Sequence, residues 1–268
     1  MTQLRVGLAL PSFVEDPEIA IAVARRAEAA GLDGVFAYDH LWRDVPPPRR
    51  GALECFALLG AVAAETERIR VASFVARATL RPAATLAAAF DAVDRISKGR
   101  LIAAIGAGDS QTRAENEAFG LEFGDLSMRV TALMHAVQTA RGRGYPVWVG
   151  GNARVVRETV ALADGWNAWG GTPDTFSENA ALVRAVAPAA ALSWGGLALV
   201  GRDDGHAAAK ANGRELSDGV VAGGPARVAD RLRAYASAGA EWVILAPIDS
   251  TDPDNATILG EAVLPLLD

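Results

Sequence analysis

Short apolar segments alternate with longer alanine-rich segments along the chain. The short ones are rich in Val, Ile, Leu and Trp and apolar throughout, as expected of strands covered on both faces of a parallel sheet. The longer ones have helical periodicity, and the alternation is typical of strands joined by crossover helices. It predicts about eight units, with strands at Arg5–Leu10, Gly34–Tyr38, Arg70–Val75, Leu101–Ile105, Val147–Val149, Trp166–Trp169, Leu192–Val200 and Trp242–Ala246.

Proline and glycine mark the ends of the predicted helices. A residue suited to capping precedes a proline, which a helix tolerates at its first position, at Asp16-Pro17, Thr172-Pro173, Gly224-Pro225 and Asp252-Pro253. Gly31 and Gly239 follow alanine-rich segments and are expected to end them in a left-handed conformation.

Two parallel architectures fit this alternation. An open, doubly wound sheet is one, but about eight units in 268 residues favour closure into a (β/α)8 TIM barrel, which needs about 250 residues. Residues 1–268 contain no Pro/Ser-rich linker, so a single domain is predicted. The irregular segment Asp44 to Gly51 is either a loop over the barrel mouth or an ordinary solvated connection.

Composition argues against several partners. Apolar residues make up 51% of the chain and charged residues 22%, enough to bury a core. The net charge of −6 gives no basic excess for nucleic acid or an anionic membrane surface, and no run reaches the roughly 18 apolar residues of a membrane span. The single cysteine, Cys55, permits no internal disulfide, and a cytoplasmic location is expected.

Reactive groups of a parallel barrel lie at the carboxyl ends of its strands. His40 follows the second strand beside Asp39, where it can shuttle a proton or donate to an oxyanion; a packed or capping histidine is the alternative. Asp109, after the fourth strand, is a second proton-transfer candidate or a helix cap. His135 and His206 are expected to pack or face solvent.

Glycine-rich loops follow the fourth, fifth and sixth predicted strands. Glycine lets the backbone approach a flat ring or a phosphate, and a helix that starts directly afterwards turns free N–H groups toward an anion. Gly150-Gly151-Asn152 is therefore predicted to cradle a phosphate or a polar tail. A tight turn alone also explains glycine in any single loop.

The missing residue types narrow the chemistry. His40 alone cannot supply the ligands of a metal-dependent hydrolase, so no metal site is predicted. Neither lysine, Lys98 or Lys210, is placed in the barrel mouth, which argues against a Schiff-base aldolase. Glycine-rich rims with few side-chain catalysts are expected where a bound cofactor carries the reaction.

Several motifs occur in a telling order: Gly31-Leu32-Asp33-Gly34 leading to Asp39-His40, then Glu65–Ile69, Arg81-Pro82-Ala83, Ser97–Leu101 leading to Ile105–Gly108, Val147–Gly151, Ala163–Trp166 and Gly223-Gly224-Pro225. In this combination the chain resembles the bacterial luciferase-like family of flavin- or deazaflavin-dependent oxidoreductases over nearly its whole length. It departs from that family at Arg141–Tyr145, which leads almost directly into the fifth strand where members commonly carry a long insertion.

The resemblance implies a luciferase-like barrel that binds an isoalloxazine or deazaflavin ring at its mouth. Asp109 stands where some deazaflavin-dependent dehydrogenases have a glutamate that acts as an acid. The implied cofactor contacts are Asp39 and His40 beside the ring, a bulge with a non-prolyl cis peptide at Ser73-Phe74 behind it, Gly106, Ala107 and Gly108 along it, and Gly150, Gly151 and Asn152 at the phosphate and tail.

Three functions are consistent with this resemblance. The first is an oxidoreductase that transfers a hydride between the deazaflavin coenzyme F420 and a small organic substrate, with His40 and Asp109 as catalytic residues. The alternatives are an FMN-dependent two-component monooxygenase and a non-catalytic flavin-binding barrel. Because members of the family are often dimers, a homodimer is expected.

Overall fold

A computed structural model of the protein describes residues 3–43 and 50–267. Its strands are β1 (Arg5–Ala9), β2 (Gly34–Ala37), β3 (Trp42–Arg43), β4 (Arg50–Gly51), β5 (Arg70–Ser73), β6 (Ala76–Arg77), β7 (Leu101–Gly106), β8 (Val147–Gly150), β9 (Gly165–Trp169), β10 (Ala191–Val200), β11 (Val221–Gly223) and β12 (Trp242–Pro247). Its helices are α1 (Pro17–Ala29), α2 (Cys55–Glu65), α3 (Ala83–Ser97), α4 (Arg113–Ala118), α5 (Leu126–Ala140), α6 (Ala153–Val160), α7 (Pro173–Arg184), α8 (Asp204–Ala211), α9 (Pro225–Ser237) and α10 (Asp254–Ile258).

Eight parallel strands close into a barrel, with β12 paired to β1 at one side and β10 joining β12 and β9 at the other. The strands around it run β1, β2, β5, β7, β8, β9, β10 and β12, with helices between them. Closure confirms the predicted (β/α)8 barrel and rules out the open sheet. β11 extends β10 outside the ring, and β3 and β4 form a separate antiparallel pair.

The helix boundaries agree with the punctuation of the sequence at most positions. α1, α7 and α9 begin at the predicted prolines, and Gly31 and Gly239 adopt φ angles of 84° and 101°. The prediction at Asp252-Pro253 is one residue early, because α10 begins at Asp254. Pro253 already has helical angles, and the Asp252 carboxylate accepts a hydrogen bond from the Asp254 amide at 2.9 Å.

The interior of the barrel forms an apolar core of its own. At its floor, near the amino ends of β8 and β12, Trp148 and Trp242 meet edge to face with ring centroids 5.8 Å apart. Gly165 makes room for this pair, because a Cβ there would lie 2.5 Å from the Trp148 ring. Successive residues of a strand alternate between interior and exterior, so the strands that fill the floor also present side chains at the mouth.

Two connections bear on access to the mouth. α5 ends at Ala140 and β8 begins at Val147, which confirms the short connection expected in place of a long insertion. The predicted loop Asp44 to Gly51 lies largely outside the described residues, which resume at Arg50.

Candidate active site

The third strand of the barrel is interrupted at its carboxyl end. β5 pairs with β7 up to Ala72 opposite Ile102, and β6 resumes the pairing with Ala76 opposite Ile105. The β5–β6 side therefore contains one residue more than β7 between these pairs, which is a β-bulge.

A non-prolyl cis peptide bond lies in this bulge, between Phe74 and Val75. The expectation from sequence placed it at Ser73-Phe74, so its position is corrected by one residue. Ser73 is still paired within β5, and its buried hydroxyl donates to the carbonyl of Ala104 at 2.6 Å. The regular strand therefore runs through Ser73, and the irregular backbone begins after it.

Three glycines of the barrel leave room for side chains of the bulge. A Cβ at Gly106 would lie 2.4 Å from Cγ2 of Val75, and one at Gly150 would lie 2.7 Å from its Cγ1. A Cβ at Gly195 would lie 2.4 Å from the Phe74 ring. These glycines thus have a packing reason, and cofactor contact at Gly106 and Gly150 stays a prediction.

The other predicted loop residues differ in access. Ala107 is buried, and the φ angle of 72° at Gly108 favours glycine there. Gly151 and Asn152 are exposed at the start of α6, where the Asn152 side chain accepts from the Arg154 amide at 3.0 Å. The start of α6 is therefore exposed, and contact with a phosphate or tail there stays a prediction.

The carboxylate of Asp39 is buried in a polar cluster. Its oxygens accept from Nη1 and Nη2 of Arg81 at 2.8 and 3.0 Å and from the Arg77 amide at 2.8 Å. These bonds fix the loop after β2 to the segment after the bulge. Asp39 thereby fixes the backbone next to His40, and a direct contact with a cofactor stays a prediction.

His40 is joined to Glu115 of α4. The imidazole Nδ1 lies 3.0 Å from Oε2 of Glu115, and the other carboxylate oxygen accepts from the Leu41 amide and lies 2.8 Å from Nη2 of Arg77. Arg77 also donates through Nη1 to Asn116 at 3.0 Å. The His40 side chain is 36% exposed, whereas those of Glu115 and Arg77 are buried.

The charges of this network are set by burial and by its partners. Burial raises the pKa of Glu115, but hydrogen bonds from His40 and Leu41 and the charge of Arg77 outweigh it, so the pKa lies below its ordinary value. Burial lowers the pKa of Arg77, opposed by the carboxylates of Glu115 and Asp39. Because Glu115 is a carboxylate at neutral pH, we assign the proton on Nδ1 of His40, which leaves Nε2 for a ligand.

Glu115, Arg77 and Asn116 are site residues that the sequence patterns do not predict. The signal for Glu115 is a carboxylate in the helix directly after the fourth strand, a region in which the sequence prediction named Asp109. The structure gives Asp109 a capping role, since its exposed side chain accepts from the Gln111 amide at 2.8 Å. Proton transfer by Asp109 stays a prediction.

Aromatic rings at the carboxyl ends of β1, β2, β5 and β9 meet at the mouth. Phe74 contacts Tyr38 and Trp169 at centroid distances of 5.6 and 5.4 Å, and Phe13 lies 6.2 Å from Tyr38. We call Phe13, Tyr38, Phe74 and Trp169 the aromatic shelf. His40 adjoins it, with its ring 5.8 Å from Phe13 and 6.3 Å from Tyr38.

Two further features lie beside or outside the mouth. The Cys55 thiol is fully buried at the start of α2 and lies 3.6 Å from the Ala37 carbonyl, and burial raises its pKa well above the ordinary value. A cleft of about 710 Å³ lies outside the barrel, between the start of α7 and α9. Among residues 3–43 and 50–267, no cluster of three or more His, Cys, Asp or Glu residues could hold a metal ion.

Comparison with known proteins assigns this architecture to a family. The model of the family described as luciferase-like monooxygenase matches residues 1–140. The chain belongs to the luciferase-like monooxygenase family. A curated relative, the F420-dependent glucose-6-phosphate dehydrogenase of Amycolatopsis mediterranei, is 29% identical over 164 residues, or 60% of this chain and 46% of its own length. The match thus spans about half of that relative.

Solved structures share the luciferase-like fold over nearly the whole chain. An F420-dependent secondary alcohol dehydrogenase in complex with an F420-acetone adduct superposes with a TM-score of 0.78 at 16% identity, covering 99% of each chain. The oxygenating constituent of 3,6-diketocamphane monooxygenase from Pseudomonas putida, in complex with FMN, gives 0.74 at 14% identity and 98% of each chain. In the described residues of the present chain, no helix is long and apolar enough to span a bilayer.

Proposed function

We propose that the protein is an oxidoreductase that transfers a hydride between coenzyme F420 and a small organic substrate. The observation that carries this proposal is the His40–Glu115 pair, a proton-transfer group held at the mouth of the barrel beside an open apolar surface. The relative from Amycolatopsis, which is named for its use of F420, supports the choice of cofactor.

We expect the mouth to hold a flat ring with an anionic tail. The ring would lie along Gly106–Gly108 in front of the bulge, although Val75 and Phe74 fill the gaps above Gly106, Gly150 and Gly195. Gly151 and Asn152, at the start of α6, would hold the phosphate or tail. When bound, the deazaflavin supplies the hydride donor or acceptor at its C5 position.

His40 would hold and move the proton that accompanies the hydride. Its Nδ1–H donates to Glu115, so Nε2 faces the reaction and exchanges a proton with the substrate oxygen. The Glu115 carboxylate stabilises the imidazolium formed when Nε2 is protonated. Arg77 and the Leu41 amide in turn hold Glu115, so the ring orientation is fixed by buried contacts.

Asp109 is the second proton-transfer group of the proposal. Its capping bond to Gln111 competes with that role, and one substitution separates the two. Asp109→Asn keeps a good cap because asparagine caps as well as aspartate. A fall in turnover at unchanged stability supports proton transfer, and unchanged turnover leaves Asp109 as a cap only.

Titration with F420 and with FMN, followed by fluorescence, tests the cofactor. Tighter binding of F420 is expected. Binding of FMN alone would reject the proposal in favour of the two-component monooxygenase. Tight binding of either cofactor without turnover of a panel of enones, alcohols and sugar phosphates would support a non-catalytic barrel. The expected homodimer is a separate prediction for analytical ultracentrifugation.

Replacement of His40 tests the catalytic role. His40→Ala is expected to leave cofactor affinity largely intact and to lower turnover by about 10²-fold or more, the scale of a general acid or base. His135→Ala is the matched control, because His135 is exposed on α5. An unchanged rate in His40→Ala removes this residue from the mechanism.

A further inference from the structure

Trp169 and Leu197 are large apolar side chains left in water at the barrel mouth, 54% and 43% exposed. Both occupy inward-facing positions of their strands. Trp169 pairs with Gly195, and Leu197 pairs with Ala246 of the interior core. Large apolar side chains left exposed at a barrel mouth are typical of interaction or ligand sites.

The aromatic shelf connects this exposed surface to His40. Trp169 stands on Phe74 at an interplanar angle of 71°, and Tyr38 lies 6.4 Å from the Trp169 ring. The rings continue through Tyr38 to His40. An apolar surface therefore begins at the proton-exchanging group and extends across the mouth to β9 and β10.

The described cationic groups near His40 are already engaged. Arg81 is bound by the carboxylate of Asp39, and Arg77 is paired with Glu115. Binding a phosphate there would require one of these ion pairs to open, leaving a buried carboxylate without its partner. This cost disfavours a sugar phosphate and favours a substrate without charge.

We propose that the aromatic shelf, together with Leu197, is the substrate subsite and that the substrate is a flat aromatic aldehyde or ketone. This proposal rests on the proposed function. In the reduction, the C5–H bond of the reduced deazaflavin would break and its hydride would form a C–H bond at the carbonyl carbon, so that the deazaflavin is oxidised, the carbonyl is reduced and the π pair of the carbonyl moves to oxygen. That oxygen takes the Nε2 proton of the His40 imidazolium, which returns to the neutral ring with its Nδ1–H on Glu115, and the product is the alcohol attached to the aromatic ring.

Calorimetric titration with 2-naphthaldehyde tests the subsite without turnover. It is expected to bind at least tenfold more tightly than glucose 6-phosphate. Trp169→Ala is expected to weaken naphthaldehyde binding about tenfold, the scale of a lost aromatic contact, and Leu197→Ala about threefold. Trp169→Phe is expected to stay within about threefold of the unsubstituted protein because it keeps an aromatic face.

The matched control is Ile96→Ala, since Ile96 is 46% exposed on α3 near the opposite end of the barrel. Its naphthaldehyde affinity is expected to be unchanged. Thermal unfolding of each variant shows whether the fold is intact, and Trp169→Phe supplies the comparison should Trp169→Ala be unstable.

F420 binding is measured on the same variants and is expected to stay within about threefold of the unsubstituted protein, well below the tenfold change that 1.4 kcal/mol produces. The proposal is overturned if Trp169→Ala binds naphthaldehyde as tightly as the unsubstituted protein. It is also overturned if Trp169→Ala loses both F420 and naphthaldehyde binding, because that result assigns Trp169 to the cofactor. Naphthaldehyde binding through Trp169 without affinity for F420 or FMN rejects the proposed function and leaves the subsite standing. F420 binding without naphthaldehyde binding rejects the subsite alone.

Discussion

Tryptophan occurs at both ends of the barrel interior, with opposite degrees of exposure. Trp148 and Trp242 at the floor are 3% and 2% exposed, whereas Trp169 at the mouth is 54% exposed. At the floor, a missing Cβ at Gly165 admits the Trp148 ring, so the space is closed by the protein itself. At the mouth, the Trp169 ring has one face exposed to solvent. The barrel therefore buries aromatic residues for stability at one end and leaves an aromatic face in water at the other.

The largest expected difference is in stability. Trp242→Ala is expected to lower the free energy of unfolding by about 3–5 kcal/mol, because it leaves a cavity in a close-packed core. Trp169→Ala is expected to cost less, about 1–2 kcal/mol, because half of its surface is already in water. Urea unfolding of both variants gives the two values, and similar losses would end the distinction between floor and mouth.

Glu115→Gln probes the part of the mouth that is built for rigidity. It is expected to cost about 3 kcal/mol at pH 7, since it leaves Arg77 buried without its carboxylate. The pKa of Glu115 is lowered in the folded protein, so its stabilisation is present above the ordinary glutamate pKa of 4.5 and is lost as the pH falls through the folded value. The free energies of unfolding of Glu115→Gln and of the unsubstituted protein are therefore expected to converge as the pH falls into the acid range.

Glu117→Gln is the control for that measurement, because Glu117 is exposed on the same helix. Its effect on stability is expected to stay within about 0.5 kcal/mol at every pH. A constant difference between Glu115→Gln and the unsubstituted protein from pH 7 into acid would contradict the assigned role of the carboxylate.

Gly150→Ala examines the side of the mouth that Val75 fills. The new methyl group is expected to collide with Val75 and to cost about 1–3 kcal/mol. Val75→Ala in the same chain is expected to recover most of that loss, because it removes the colliding atoms. Denaturant unfolding of the single and double variants measures the coupling. Additive losses would mean that Gly150 is required for another reason, such as close approach of a cofactor.

Most of the fold could be predicted from the sequence because the signals for strands and helix ends lie within a few neighbouring residues. Continuous apolar runs such as Leu101–Ile105 are long enough to identify buried strands, and the pairs Asp16-Pro17 and Thr172-Pro173 carry helix starts within two residues. The site was harder to predict because it depends on contacts between distant segments. His40 could be selected from its place after a strand, but its partner Glu115 lies 75 residues away.

The glycine-rich rims show a second limit of sequence reasoning. Glycine signals that some atom comes close to the backbone, without saying whether that atom belongs to a ligand or to the protein. At Gly106 and Gly150 the neighbour is Val75, which the bulge after β5 carries across the mouth. The position of such a bulge depends on strand pairing, which a local pattern does not contain.

The thiol of Cys55 can be used to measure how often the protein opens locally around α2. Sealed behind the second strand and kept protonated by its apolar surroundings, it should react with alkylating reagents only during excursions that expose α2. The rate at which Cys55 is modified in the native protein would then report how often α2 detaches. If a ligand bound at the mouth slows this reaction, the decrease in rate would measure how strongly ligand binding stabilises α2 against local opening.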